Sequence, residues 1–311
     1  MGVRDAIVLV TGATGLFGMP LALALAAYNE VIAAARFTDA GARRTLESAG
    51  IATVRWDLMD ADLSMLPAAA DYVVHTAALL PAGEPIQQAQ QAAFEANAQA
   101  VGRLMWRYQC CRGFLHSSSA AVYSQYRGRA VTEAHPLGLA QHPRVANYTL
   151  SKIAAEQLVE FLSRQLEIPS VILRIFALYG PAGGSPVKAL ELIRHGQPVP
   201  LHPGGPIYQT IIYEADYVEK ALQLIELASV PPLIVNFGST EETTVEGYCE
   251  LMGGLMGLNV EFEETDRAWA PLRADVTKLR SLVGPTKVSA ADGFQRVLRE
   301  RHSNHHHQRE V

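Results

Sequence analysis

Residues 7–18 constrain the fold more than any other stretch. Ile7-Val8-Leu9-Val10 is a short, unbroken apolar run, and Thr11-Gly12-Ala13-Thr14-Gly15-Leu16-Phe17-Gly18 follows it directly. A continuous apolar run marks a strand buried on both faces. Leu16–Tyr28 then reads as an apolar helix. Strand, glycine turn and helix in that order form the first unit of a parallel sheet. The three glycines serve different physical ends. Gly12 permits the tight turn, Gly15 lets backbone approach a diphosphate, and Gly18 lets the helix pack closely. The anion would sit at the helix N-terminus, where unpaired N–H groups and the positive dipole end meet it. Glycine-rich turns are common, and it is the placement of this one between a buried strand and an apolar helix that gives it weight.

The same alternation continues. Strands are read at Val31–Ala35, around Val54, and at Asp71–His75, Gly113–Ser117 and Ser170–Ile175. Helices are read at Asp39–Ala49, Pro85–Tyr108 and Tyr148–Leu166. This spacing predicts an α/β fold, a Rossmann-type, doubly wound parallel sheet. After Arg174 the composition changes, and Tyr179–Pro206, rich in Gly and Pro, is expected to break regular structure. Helices at Asp216–Ala228, Val245–Met256 and Ala290–Arg301 and strands at Leu233–Phe237 and Val260–Glu263 follow. The expected organisation is a dinucleotide-binding domain over 1–176, to which the chain returns around 210–240. A smaller, mainly substrate-binding lobe covers 177–301, and 302–311 is a disordered tail.

Composition bounds the function. With 49% hydrophobic residues among 311, the chain buries a sizeable core. A formal charge of −5 gives no basic excess for nucleic acid. No apolar run reaches membrane-spanning length, and Met1–Asp5 is too short and mixed in charge for a signal peptide. Three cysteines make no disulfide framework, so a reducing, cytoplasmic setting is expected. His302 and His305-His306-His307 lie in a polar tail and are not read as a metal site; no metal is expected.

Three further features carry chemistry. Arg36 ends the second strand, where a carboxylate would hold the ribose 2′-hydroxyl of NAD and an arginine accommodates the 2′-phosphate of NADP. Asp57-Leu58, after the third strand, suits an adenine contact, although a lone loop Asp is otherwise ordinary. Ser117-Ser118-Ser119 closes the fifth strand, and Tyr148 and Lys152 lie four apart on one helix face. A free phenol has a pKa of about 10. A nearby ammonium is expected to lower it, so that tyrosine passes a proton while serine polarises a substrate oxygen.

Together these residues resemble the extended short-chain dehydrogenase/reductase superfamily, the NAD-dependent epimerase/dehydratase group. The resemblance also takes in His75-Thr76-Ala77-Ala78, Asn97, Ser117–Tyr123, Leu173-Arg174 through Tyr179-Gly180-Pro181, and Ala274–Leu279. It implies a catalytic triad of Ser119, Tyr148 and Lys152. It implies cofactor contacts from Gly12, Thr14, Gly15, Leu16, Phe17 and Gly18, then from Arg36, Asp57 and Leu58. Further contacts would come from Thr76, Ala77, Ala78, Asn97 and Ser117, and from Phe176, Ala177 and Leu178 beside Tyr148 and Lys152. It places substrate against Leu79, Ser119, Ala120, Tyr123, Tyr179 and Gln209. It further implies a homodimer formed through the helices near Asn97–Tyr108 and Tyr148–Leu166.

The departures narrow the expectation. Sugar-nucleotide dehydratases of the group carry an Asp-Glu pair after the catalytic hydroxyl residue, where this chain has Ala120-Ala121. An asparagine usual in sugar-nucleotide enzymes is Ala177 here, and a phosphate-binding arginine is missing from Gln209-Thr210-Ile211-Ile212. The first expectation is therefore an NADP-preferring oxidoreductase, with NAD as the other cofactor choice, acting on a carbonyl or secondary alcohol of a non-nucleotide small molecule. A sugar-nucleotide epimerase or ketoreductase is the second. A non-catalytic NADP-binding regulator is the third, and the presence of both Tyr148 and Lys152 weighs against it.

Overall fold

The computed structural model describes residues 2–80, 86–124, 129–139 and 145–307. The chain divides into two compact units. The first comprises Met1–Gln125, Glu133–Ile175 and Val218–Val235; the second comprises Tyr126–Thr132, Phe176–Tyr217 and Asn236–Val311.

The first unit begins with β1 (Ile7–Thr11), α1 (Gly18–Ala26), β2 (Glu30–Ala35), α2 (Ala40–Ser48), β3 (Ala52–Arg55) and β4 (Tyr72–His75). Helix α3 (Ile86–Phe94) passes through a π-helical turn at Glu95–Gln99 into α4 (Ala100–Arg107). Strand β5 (Gly113–Ser119), helix α5 (Ala146–Leu166) and strand β6 (Ser170–Ile175) follow. Every strand pair from β3 through β6 is parallel. Leu9, Val73, Phe114 and Ile172 of the sheet share one core with Leu104 of α4 and Val159 of α5, all fully buried. Truncating such a side chain to alanine costs about 2–5 kcal/mol. The runs are apolar throughout because helices cover both faces, leaving no solvent side for polar residues.

The second unit holds β7 (Ala177–Gly180), β8 (Gly183–Gly184), α6 (Ser185–Arg194), β9 (Val199–Leu201) and β10 (Ile211–Tyr213). Helix α7 (Glu214–Ile225) begins in this unit and ends in the first, and β11 (Leu233–Phe237) does the reverse. Helix α8 (Val245–Met256), strand β12 (Phe262–Glu264), helix α9 (Thr277–Val283) and helix α10 (Ala290–His307) complete the chain. With β11 placed, the main sheet has seven strands in the order β11-β6-β5-β4-β1-β2-β3. Its strand order reverses between β1 and β4, and a reversal of that kind opens a crevice beyond the strands' carboxyl ends.

Two expectations are corrected. The Gly- and Pro-rich stretch at 179–206 is not irregular, since it carries helix α6. Pro186 stands in the first turn of α6, where its missing N–H is no loss, and Val187, Leu190 and Ile193 bury one helical stripe. The supposed tail also begins as helix: α10 continues to His307, while 308–311 and the histidine side chains lie outside the described residues. The first residue of the helix read at Pro85–Tyr108 likewise lies outside them.

Candidate active site

A cavity of about 380 Å³ lies at the strand reversal of the first unit. Its wall comes from the carboxyl ends of the first four strands. These are Gly12, Thr14 and Gly15 after β1; Ala34–Thr38 at the end of β2; Trp56–Met59 after β3; and Thr76–Leu79 after β4. Gly12 has φ +69°, and a Cβ there would stand 2.5 Å from the Ala77 nitrogen. A Cβ at Gly18 would run into the Gly12 carbonyl. Gly15 donates its N–H to that same carbonyl at 2.9 Å. Glycine at 12 and 18 is thus demanded by backbone packed on backbone. Leu16 flanks this turn, and Phe17, largely buried, stands at the N-cap of α1.

Arg36 is exposed in the cavity wall and forms no ion pair among the described residues. The neighbouring carboxylate, Asp39, accepts from the Gly41 N–H at 2.7 Å and caps α2. The β2 end therefore offers the cavity a cation and no free acid. Asp57 also lines the cavity, with one oxygen accepting from the Met59 N–H at 3.0 Å.

Asn97 sits in the π-helical turn and is buried. Its amide oxygen accepts from the Leu79 N–H at 2.7 Å, while its amide nitrogen donates to the Leu79 carbonyl at 2.8 Å and to Ser151 Oγ at 2.9 Å. Ser151 Oγ in turn donates to the Tyr148 carbonyl at 2.8 Å. Asn97 is thus a clamp between the 76–79 wall and the first turn of α5. Leu79, expected against substrate, belongs to this wall.

Ser119, Tyr148 and Lys152 meet at the carboxyl end of β5. Lys152 Nζ donates to the Ser117 carbonyl at 2.7 Å and lies 5.9 Å from the centre of the Tyr148 ring. Ser119 hydrogen-bonds Tyr148. Burial raises the Tyr148 phenol, and the Ser119 bond only partly offsets it. Burial pushes the Lys152 ammonium down to about 8, against an opposing pull from Glu156. The expected lowering of the phenol by the lysine is therefore corrected. The ammonium is committed to a backbone carbonyl, and dehydration of the phenolate dominates.

Two expected substrate contacts are core residues instead. Tyr123 is fully buried, and its hydroxyl accepts from Arg174 NH1 at 3.1 Å. Tyr179, in the second unit, is buried with its ring 4.7 Å from Phe294 and 5.5 Å from Tyr213. Ala120 is buried in the short 3₁₀ turn after Ser119. In the second unit the Phe176 N–H donates to the Phe237 carbonyl and the Ala177 N–H to the Thr210 carbonyl; Leu178 pairs with Ile212. Gln209 Oε1 accepts from the Tyr248 hydroxyl at 2.8 Å.

The profile described as the NAD dependent epimerase/dehydratase family matches residues 8–238, more than half of the chain. The chain belongs to the NAD dependent epimerase/dehydratase family. An uncharacterized UDP-glucose epimerase of Bacillus subtilis (strain 168) is 26% identical over 240 residues, 74% of this chain and 73% of that protein. Among solved structures, UDP-glucuronic acid 4-epimerase from Bacillus cereus in complex with NAD superposes with a TM-score of 0.80 at 22% identity, covering 95% and 99% of the two chains. The dTDP-glucose 4,6-dehydratase from Streptomyces venezuelae with NAD and TYD bound gives 0.78 at 22% identity, covering 96% and 97%. The family fold accounts for the seven-stranded sheet and its strand reversal.

Sequence reasoning missed several residues of this site. Phe37, Thr38, Trp56 and Met59 line the cavity, and Ser151, Glu156 and Arg174 stand behind the reaction centre. Ser151 and Glu156 had a signal, since both lie on the α5 face that carries Tyr148 and Lys152.

Proposed function

We propose that this protein is an NADP-preferring oxidoreductase acting on a carbonyl or secondary alcohol of a non-nucleotide small molecule, with Ser119, Tyr148 and Lys152 as its catalytic residues. One observation carries the reading: these three side chains gather on one strand end, in the unit that also holds the glycine-loop cavity. The residues present fit a dinucleotide with a 2′-phosphate. Backbone at Gly12 and Gly18 has no room for side chains, and Arg36 is a wall cation with no ion pair among the described residues.

A bound nicotinamide supplies the hydride chemistry. The backbone of Gly12, Thr14 and Gly15 would hold its diphosphate, and Arg36 would take the 2′-phosphate. Asp57 and Leu58 would hold the adenine, with Thr76, Ala77 and Ala78 lining the same cavity. Ser119 polarises the substrate oxygen and Tyr148 moves the proton at that oxygen. Lys152 would hold the ribose through its ammonium. Under this reading 1–176 is the dinucleotide-binding domain and 177–301 mainly binds substrate.

A nucleotide-sugar epimerase is the second reading, and the names of the relatives favour it. Ala177 and the lack of an arginine in Gln209-Thr210-Ile211-Ile212 favour the first, because a diphosphate buried without charged or polar donors pays a desolvation penalty. A thermal-shift panel of UDP-, GDP- and dTDP-sugars against hydrophobic ketones and aldehydes, with NADPH present, tests the choice. NADPH oxidation with a ketone or aldehyde is the expected result. Low-micromolar binding of a nucleotide sugar promotes the epimerase.

We read the setting as cytoplasmic, supported by three free cysteines. We read the assembly as a homodimer through α4 and α5, whose residues Gly102, Trp106 and Leu162 line an open groove. No helix among the described residues is long and apolar enough to cross a membrane.

A further inference from the structure

Lys152 is almost completely buried. Its ammonium donates to the Ser117 carbonyl of β5 at 2.7 Å. His75 of β4 and His116 of β5 feel its charge; both are fully buried, with rings 5.6 Å apart. Burial holds both imidazoles neutral near pH 7, so neither adds a second positive charge beside the ammonium. Tyr148, one turn earlier on α5, is a neutral phenol there. Among the described residues Glu156, one turn later on α5, is the anion that acts on Lys152.

Glu156 is itself fully buried and strictly held. Ser118 Oγ donates to Oε1 at 2.5 Å, Arg174 Nε donates to both oxygens at 3.1 and 3.2 Å, and Arg174 NH2 donates to Oε2 at 2.8 Å. Arg174 is anchored in turn by the Tyr123 hydroxyl and the Glu133 carbonyl. Ser118 and Arg174 are register partners on β5 and β6. The charges therefore run Lys152, Glu156, Arg174 in alternating sign, with each side chain tied to strand or helix. An isolated buried ion pair is weak support for stability. This one continues the row of catalytic side chains along α5, which gives it another use.

We infer that Glu156, clamped by Arg174 and Ser118 one helical turn from Lys152, is a positioning residue that holds a fixed negative charge behind the Lys152 ammonium. The inference rests on the assignment of Lys152 to the reaction centre. Glu156 touches neither cofactor nor substrate; it acts through the lysine, and Arg174 acts through Glu156.

The test is a pH titration of ¹³Cε-labelled lysines by NMR in the full-length, ligand-free protein, with Lys152 assigned from Lys152→Arg. The variant Glu156→Gln combined with Arg174→Met removes both charges together, so that neither is left unpaired. Its Lys152 midpoint is expected to fall by about one pH unit or more relative to the native protein. Glu156→Asp keeps the charge but withdraws it by one methylene, and a smaller fall is expected. An unmoved midpoint in the double variant, or in Glu156→Asp if the double variant does not fold, overturns the inference. NADPH affinity measured over the same pH range separates this inference from the cofactor reading. A midpoint that falls in protein that binds no NADPH supports the role of Glu156 and sinks only the cofactor assignment. NADPH binding whose basic limb tracks the shifted midpoint supports both.

Discussion

Lys152 directs its ammonium to the Ser117 carbonyl at 2.7 Å, while the centre of the Tyr148 ring stands 5.9 Å from Nζ. The lysine is thus tied to the strand end, and the phenol is linked to Ser119. Tyr148→Phe keeps the ring and removes the proton carrier. Turnover should fall by about 10²–10⁴-fold while NADPH still binds. Ser119→Ala should act mainly on rate, and Lys152→Ala on both rate and cofactor affinity. Near-native turnover of Tyr148→Phe, measured on an identified substrate, refutes the mechanism.

The lysine also sets a pH limit. Its folded value is lowered to about 8 from 10.5, so it is charged below pH 8 and neutral above. NADPH affinity, followed by calorimetry, should weaken as pH rises through 8. The linkage to folding has the opposite slope. Between about 8 and 10.5 the unfolded chain binds the proton more tightly, so this group makes the protein more stable as pH climbs through that window. An affinity flat from about pH 7 to about pH 9.5 contradicts the role given to the charge.

Under the proposed function, cofactor choice is expected to turn on Arg36. Its side chain is exposed in the cavity wall, while Asp39 is spent on the α2 cap. NADP(H) should bind more tightly than NAD(H) by about tenfold or more, as expected of a charge-assisted contact to a phosphate. Arg36→Asp should reverse the order, and equal or tighter NAD(H) binding by the native protein removes the preference.

Asn97 makes three hydrogen bonds from a buried position in the π-helical turn. Asn97→Ala leaves Leu79 and Ser151 without these partners. Unfolding free energy should drop by about 1–3 kcal/mol. NADPH affinity should drop with it, because the 76–79 wall loses its tie to α5. A variant of native stability in denaturant unfolding shows that water or a neighbour satisfies those groups instead.

The strand–helix alternation, the glycine loop and the Ser-Tyr-Lys set were legible in the sequence for a local reason. Apolar runs such as Val8–Val10 announce burial on both faces, and the space at Gly12 and Gly18 admits no Cβ. The spacing of Tyr148 and Lys152 is one helical turn, a quantity the chain itself carries. Helix α6 was hidden because Pro186 and the glycines before it look like a breaker until their place at a helix start is known. Tertiary structure decided what depends on distance across the fold. It turned Tyr123 and Tyr179 into core and brought Arg174 of β6 onto Glu156 of α5. It also raised the Tyr148 phenol where sequence reasoning expected it lowered. Burial strips water from a charged group according to everything packed around it, and that surrounding set is assembled from residues far apart in the chain.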